Sequence, residues 1–451
     1  MNVTIIGTGY VGLTTGTALA YLGHDVTCVD KKQEIVEKLR SGVPTIHEDG
    51  LAEIMHAGRA NMLYTTEIPA LSGTGIVMIA VGTPSKENGD ADMRYVDAAA
   101  REVADLIEEG ARLVVVNKST VPVGSAKHVS GIIARRLQAR GVNAEVYVAS
   151  NPEFLAEGRA VHDTLYPDRI VIGCDDSGAT GLLREMYAPI LEQTFEAPPG
   201  TPRPERYDLP PLITTSATSA ELTKYAANSF LATKISFINE FSGLAEKVGA
   251  DITEVSRAIG LDARIGGKFL HAGIGWGGSC FGKDTRAILA LASGYEYTMP
   301  IVNSAIDVNS RQRLFVVDKL QQHLKVLRGT TIGLLGLAFK GNTDDLRDSP
   351  ALTLIENLAE RGAVIKVHDP VAMDNARRLY PDLPVEYCED PEQLASGCDA
   401  VVIVTDWPQY RQLDFDKLAA VMTGKLLLDA RNYLQPGQVR NAGLEYVGIG
   451  R

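Results

Sequence analysis

Cys280 stands in Gly273-Ile274-Gly275-Trp276-Gly277-Gly278-Ser279-Cys280-Phe281-Gly282-Lys283-Asp284, a thiol in a glycine-dense run with an ammonium and a carboxylate just behind it. Glycine lets backbone approach a ligand closely, and a nearby cation draws a cysteine toward the nucleophilic thiolate. The bland alternative is a tight turn with a buried sulfur. The chain also opens on Gly7-Thr8-Gly9-Tyr10-Val11-Gly12, a complete GxGxxG between an apolar strand and a helical stretch. Such glycines permit a tight turn and close approach of a pyrophosphate, whose charge the helix N-terminus favours. Asp30 follows 18 residues past Gly12, at the end of the next strand. A carboxylate there suits a ribose 2′-hydroxyl and repels a 2′-phosphate, so the pattern favours NAD over NADP; a merely structural glycine turn is the competing reading. A thiol nucleophile together with a nicotinamide site points to oxidation through a covalent thiohemiacetal.

Other residue pairs have spacings that suit chemistry. Glu153 and Glu157 lie four apart in Asn151-Pro152-Glu153-Phe154-Leu155-Ala156-Glu157-Gly158, just after a strand end. On a helix both would face the same way, as a general base or a substrate-positioning pair; otherwise they are a solvated acidic turn. Thr120, in Lys118-Ser119-Thr120-Val121-Pro122-Val123-Gly124, also follows an apolar strand. It could hold a water or a ribose hydroxyl there, or serve as a plain N-cap. Lys224 and Asn228 share a helix face. Together they could donate to a developing oxyanion, whereas a lone lysine on an apolar helix more often snorkels to the surface. Cys280 and Asp284 repeat the spacing of four. Cys28 and Cys174, at apolar strand positions, read as inert core thiols, and Cys388 and Cys398 have no chemical context.

These residues need rigid elements to hold them. Residues 3–30 read as strand, glycine turn, helix, strand, and apolar runs at Ile76–Val81, Leu113–Val116 and Val146–Ala149 continue the βα alternation. That alternation predicts an α/β fold with a parallel sheet covered on both faces. Thr331-Ile332-Gly333-Leu334-Leu335-Gly336 echoes Thr4-Ile5-Ile6-Gly7, and Gly362 to Asp369 echoes Gly23 to Asp30, so a second copy is expected at the far end. Between the copies, residues 216–248 lack proline and predict one long helix of about 50 Å, buried on several sides, joining the domains and meeting a second subunit. The proline-rich run 197–211 predicts an extended surface loop. We therefore expect two Rossmann-like doubly wound parallel-sheet domains joined by a long central helix, with boundaries at 1–212, 213–312 and 313–451.

Bulk composition sets limits. At 451 residues with 45% hydrophobic and 22% charged residues, the chain can bury two or three cores. No apolar run is long enough to span a bilayer, and the N-terminus lacks a basic leader, so no membrane partner is expected. A net charge of −12 disfavours nucleic acid as a partner. Five scattered cysteines without a CxxC pair suggest reduced thiols, a cytoplasmic setting and no metal site.

Gly7–Gly12, Asn151–Gly158, Lys224 with Asn228, and the Cys280 run, in that order, resemble the UDP-glucose/GDP-mannose dehydrogenase family. The resemblance extends through Gly336-Leu337-Ala338-Phe339-Lys340 and Thr343 to Pro350, and so spans nearly the whole chain. Tyr166–Gly173 and Asp262–Leu270 resemble the UDP-glucose branch, while Val81–Ser85 does not discriminate. The resemblance implies four-electron oxidation of the C6 alcohol of UDP-glucose to UDP-glucuronate, through a thiohemiacetal and a thioester on Cys280, using two NAD and one water. It implies that Lys224 and Asn228 stabilise the oxyanion. Asp284 would orient water or assist proton transfer, and Thr120 and Glu157 would act through bound water. Gly7, Gly9, Tyr10, Val11, Gly12, Asp30, Thr83, Thr120, Glu157, Lys283 and Arg347 would hold the cofactor. The sugar nucleotide would meet Glu153, Phe154, Leu155, Lys224, Asn228, Lys268, Phe269, Gly277, Cys280, Phe339 and Lys340, with Arg264 reaching across a homodimer interface. Alternatives are the same chemistry on GDP-mannose or a UDP-N-acetylhexosamine, or a non-catalytic nucleotide-sugar-binding protein. Gly282 replaces a proline common in the family, the 197–211 run is an insertion without an implied role, and His271 receives none.

Overall fold

The computed structural model describes all of residues 1–451 and separates into two compact units. The first comprises Met1–Ala227 with Arg286–Leu291, and the second Asn228–Thr285 with Ala292–Arg451.

In the first unit, eight strands form one sheet: β1 (Asn2–Ile6), β2 (Asp25–Val29), β3 (Met62–Thr65), β4 (Thr74–Ile79), β5 (Arg112–Asn117), β6 (Glu145–Ser150), β7 (Ile170–Gly173) and β8 (Leu212–Thr215). Their spatial order is β3-β2-β1-β4-β5-β6-β7-β8. The order reverses between β1 and β4, which places the crevice for a dinucleotide beyond the carboxyl ends of those two strands. Alternate side chains of β5 feed opposite cores: Val114 and Val116 pack with helix Tyr10–Tyr21, and Leu113 and Val115 with helices Arg94–Leu106 and Ser125–Arg140. Such β-branched, doubly buried strands suit the centre of a parallel sheet. One joint departs from the expected parallel sheet. β7 meets β6 antiparallel, at the single pair Ser150–Gly173, because the loop from Asn151 to Arg169 and the short helix Ala160–Leu165 do not make a full crossover.

The proline-rich run 197–211 has no regular structure and leads into edge strand β8. It is not wholly a surface loop. Thr201 is buried, and the Tyr166 and Tyr207 hydroxyls donate to the Thr201 and Pro167 carbonyl oxygens at 3.1 and 2.7 Å.

The second unit carries a six-stranded, all-parallel sheet of order β11-β10-β9-β12-β13-β14. Its strands are β9 (Thr331–Leu335), β10 (Val364–His368), β11 (Glu386–Tyr387), β12 (Ala400–Ile403), β13 (Leu426–Asp429) and β14 (Glu445–Val447). The echo seen in the sequence is therefore a second doubly wound sheet. Helix Pro300–Leu324 leads into β9, with Val316, Val317 and Leu320 in its core.

Helix Ala217–Val248 begins in the first unit and continues into the second from Asn228. The expectation that it is buried on several sides fails for the single chain. Tyr225 and Ile238 are buried, but Phe230, Phe237, Phe241, Leu244 and Val248 are 43–67% exposed, forming an apolar stripe. No helix is long and apolar enough to cross a membrane.

Candidate active site

The glycine turn after β1 divides its labour. A Cβ at Gly12 would fall 1.9 Å from the Gly7 carbonyl oxygen, and one at Gly7, where φ is +99°, 2.6 Å from that of Ala80. Both glycines are demanded by packing of turn, helix and β4. A Cβ at Gly9 would meet nothing within 4 Å, so there the backbone presents itself to a ligand at the N-terminus of the helix carrying Tyr10 and Val11. At the end of β2, Asp30 accepts from the Thr8 hydroxyl at 2.7 Å and the Lys32 amide at 3.0 Å, which fixes the carboxylate beside the turn. Turn, helix terminus and acid together fit a dinucleotide.

The corresponding acid of the second sheet is used differently. Asp369, fully buried, accepts from the amides of Leu337, Ala338, Val371 and Ala372 and from the Trp407 indole, at 2.8–3.0 Å. Five donors consume its lone pairs on its own loops, so it has no capacity left for a ribose.

Beyond β4 and β5, the Thr83 hydroxyl donates to the Thr120 carbonyl oxygen at 2.8 Å and ties two strand-end loops together. Thr120 is not an N-cap: the next helix starts at Ser125 and is capped by Gly124. Beyond β6, residues 151–156 are irregular, so Glu153 and Glu157 do not share a helix face. Neither are they a solvated turn, since both are buried. Glu153 receives the Lys224 ammonium at 2.8 Å and the Leu155 amide at 2.8 Å. Burial opposes ionisation of Glu153, but the Lys224 charge and hydrogen bond, the Leu155 amide and the Lys118 charge together hold its carboxyl below the ordinary value. Lys224 itself is 3% exposed, which removes the snorkelling reading. Phe154 meets two cations, with the Arg169 guanidinium 3.7 Å and the Lys224 ammonium 5.5 Å from its ring centre.

Three supporting residues of this unit escaped the sequence reading. Glu221, one turn before Lys224, accepts from Gly124 and Ala126 amides at 2.6 and 2.9 Å and from the Ser150 hydroxyl at 2.8 Å. It thereby caps helix Ser125–Arg140 and pins the long helix to the ends of β5 and β6. Glu48 accepts from Gly158 and Ala160 amides at 2.7 and 2.5 Å and holds the Glu157 loop. Lys118 donates to Asn151 Oδ1 at 3.0 Å, and burial lowers its pKa to about 8.

In the second unit, Cys280 is the N-cap of helix Phe281–Gly294, with its sulfur 3.5 Å from the Ser279 hydroxyl. A negative sulfur at a helix N-terminus is favoured by the helix dipole. The Asp284 amide closes the first helical turn onto the Cys280 carbonyl oxygen at 2.8 Å. The Asp284 carboxylate, fully buried, takes the Asn228 amide at 2.6 Å and pairs with Lys283. Asn228 and Lys224 are thus adjacent-turn residues of one helix, each bonded to a different carboxylate.

The glycines of the Cys280 run turn out to serve the chain's own packing. A Cβ at Gly273 would fall 2.7 Å from the Ala430 carbonyl oxygen, and one at Gly277 2.2 Å from that of Asp348. Gly278, at φ +88°, lies against the Phe339 ring and donates its amide to the Arg347 carbonyl oxygen at 3.0 Å. Phe339 and Arg347 therefore flank the Cys280 loop. The Lys340 ammonium sits 5.4 Å from the Phe339 ring centre, and Arg347 pairs with Asp345 at 2.7 Å. Arg431, half-buried and missed by the sequence reading, donates to carbonyl oxygens of Val404, Gly275 and Phe339 at 2.7, 3.1 and 2.7 Å.

Arg264 and Lys268 are exposed, and Arg264 is paired with Asp262 at 2.6 Å. The Lys234 ammonium holds their loop through the Ile265 and Gly266 carbonyl oxygens, both at 3.1 Å. Phe269 stands edge-on to Phe281 at 6.3 Å in a left-handed conformation, φ +65°, a strained setting for a bulky residue. The remaining thiols are inert by burial: it pushes Cys28 and Cys398 up to about 12 and also raises Cys174 and Cys388.

Comparison with known proteins finds three matches to the UDP-glucose/GDP-mannose dehydrogenase family: its NAD binding domain over residues 1–191, its central domain over 218–311 and its UDP binding domain over 333–436. The chain is 44% identical to the UDP-glucose 6-dehydrogenase of Rhizobium meliloti, with all of both chains covered. Among solved structures, a UDP-glucose dehydrogenase from Pyrobaculum islandicum matches with TM-score 0.86 and 39% identity, covering 100% of this chain and 97% of that one. A UDP-D-ManNAc dehydrogenase from Pyrococcus horikoshii matches with TM-score 0.83 and 28% identity, covering 100% and 99%.

Proposed function

Because the chain belongs to the UDP-glucose/GDP-mannose dehydrogenase family, we propose that it oxidises the C6 alcohol of UDP-glucose to the carboxylate of UDP-glucuronate with NAD. The observation that carries this reading is the long helix, on which Lys224 and Asn228, both buried, each bond to a carboxylate, Glu153 and Asp284. An ammonium and an amide four residues apart on one helix suit an oxygen that gains negative charge.

On this reading Lys224 and Asn228 stabilise the alkoxide as the alcohol passes its proton to bound water and loses a hydride to become an aldehyde. Cys280 then adds through sulfur to the aldehyde carbon, and the resulting thiohemiacetal loses a second hydride to become a thioester. Water, oriented by Asp284 and with Thr120 and Glu157 in support, attacks the thioester carbon and returns the thiol. NAD, when bound, supplies the hydride acceptor for each two-electron oxidation. Gly7, Gly9, Tyr10, Val11, Gly12, Asp30 and Thr83 would hold it, with Lys283 and Arg347 contributing charge. Glu153, Phe154, Leu155, Gly277, Phe339, Lys340, Lys268, Phe269 and a second subunit's copy of Arg264 would hold the sugar nucleotide.

UDP-glucose is preferred over other nucleotide sugars because the identity to a protein of that name is 44%, against 28% to the UDP-D-ManNAc dehydrogenase. The homodimer belongs to the same reading and is supported by the exposed stripe from Phe230 to Val248. The cytoplasmic setting is supported by five cysteines, none in a disulfide.

Two experiments test the reading. Cys280→Ser is expected to abolish net formation of the acid, and full turnover in that variant would remove Cys280 from the mechanism. With UDP-glucose and GDP-mannose offered at equal concentration, UDP-glucose should be consumed first; preference for the guanosine compound would overturn the substrate assignment.

A further inference from the structure

Three residues on one face of helix Pro300–Leu324 contact the backbone of the loop that leads to Cys280. Asn309, 3% exposed, accepts the Trp276 amide at 2.8 Å and donates its own amide to the Trp276 carbonyl oxygen at 3.0 Å. That pair of hydrogen bonds to one residue copies the hydrogen-bonded pairing of a β-ladder with a side chain in place of a strand. Gln312, also buried, donates to the Gly273 carbonyl oxygen at 2.8 Å. Arg313 donates to the Trp276 carbonyl oxygen at 2.8 Å and, with its other amino group, to the Asp348 carboxylate at 2.8 Å. Gly275, at φ +102°, is the residue the clamp requires, since a Cβ there would fall 2.4 Å from Asn309 Oδ1. The spacing i, i+3, i+4 puts all three on one helix face.

We propose that Asn309, Gln312 and Arg313 are positioning residues: they template the loop 273–279 and so set where the Cys280 sulfur stands. A glycine-dense loop has high conformational entropy, and in this one only Ile274 and Trp276 pack large side chains, while its Gly273 and Trp276 backbone groups are buried and must be paired. Rigid side chains on a helix pair them at defined places and leave one arrangement. Arg313 extends the template, because the Asp348 it holds follows Arg347, which takes the Gly278 amide. Loop 345–349 and the nucleophile loop are thereby held by the same guanidinium. The proposal rests on Cys280 as the nucleophile.

The test uses the full-length chain with Asn309→Ala and, in case that variant does not fold, Arg313→Lys, whose single ammonium cannot span both Trp276 and Asp348. Measured together are kcat, KM for NAD, thermal midpoint, and the rate at which iodoacetamide alkylates Cys280, read by peptide mass. We expect kcat to fall about ten-fold or more, as misplacement of a nucleophile does. KM for NAD should stay within about three-fold, and Cys280 alkylation should rise at least about three-fold as the loop loosens. A midpoint shift alone, with kcat and alkylation unchanged, would overturn the proposal. So would a fall in kcat with alkylation unchanged. Failure of the underlying reading looks different: Cys280→Ser would then keep turnover, whatever the clamp variants do.

Discussion

Lys118, at the carboxyl end of β5, places its ammonium 3.0 Å from Asn151 Oδ1 and 3.5 Å from the Tyr187 hydroxyl, two neutral partners. Burial lowers its pKa from 10.5 to about 8, with Glu153 pulling it up and Lys224 pushing it down. Between those two values the unfolded chain binds more protons than the folded one, so this group makes stability rise with pH. The cost is present in full below about pH 8 and is relieved toward pH 10.5, on the order of 3 kcal/mol in all. Lys118→Met removes the titration. Thermal midpoints of wild type relative to this variant should therefore improve from pH 8 to 10, and parallel curves would refute the assignment. Glu153→Gln leaves the Lys224 ammonium buried without its carboxylate, and should lower stability by about 3 kcal/mol in chemical unfolding. Several individual residues could be picked out from sequence because their types are costly: a thiol among glycines, a lysine on an apolar helix. Lys118, Glu221 and Asn309 were not, because their partners are backbone groups and neutral side chains brought in from distant segments.

At the scale of elements, the motifs were legible as turns but not as contacts. GxGxxG predicted its strand, helix and acid correctly, since spacing along β1, the turn and β2 fixes them. The Glu153–Glu157 spacing, read as a shared helix face or a solvated turn, gave neither, because the Leu155 amide goes to the Glu153 carboxylate and the Ala156 amide to that of Asp163 rather than to a helical turn. Glu221 gives a direct test of how the long helix is registered on the sheet. Glu221→Ala strips the cap from helix Ser125–Arg140 and should cost about 1–2 kcal/mol in stability. If that register also positions Lys224, kcat should fall by more than KM for UDP-glucose rises; unchanged kcat would confine Glu221 to stability. Gly12→Ala should impair NAD binding by disrupting the turn, given the 1.9 Å approach to the Gly7 carbonyl oxygen. Unaltered KM for NAD would show that the turn adapts.

For the whole molecule, the two doubly wound sheets were readable from the repeated strand–glycine–strand–aspartate pattern. What that pattern did not reveal was that the second aspartate has turned inward, with Asp369 spent on five donors where Asp30 stays beside its turn. The long helix was also readable, but its apolar residues leave a stripe that the single chain does not cover. Phe237→Asp and Phe241→Asp together should shift the protein toward monomer in sedimentation, and an unchanged mass would move the interface elsewhere. The central claim concerns how many electrons leave one substrate molecule. With limiting UDP-glucose and excess NAD, absorbance at the reduced-nicotinamide band should report two NADH for each sugar nucleotide consumed. One NADH per sugar, with the aldehyde released, would contradict a thioester on Cys280.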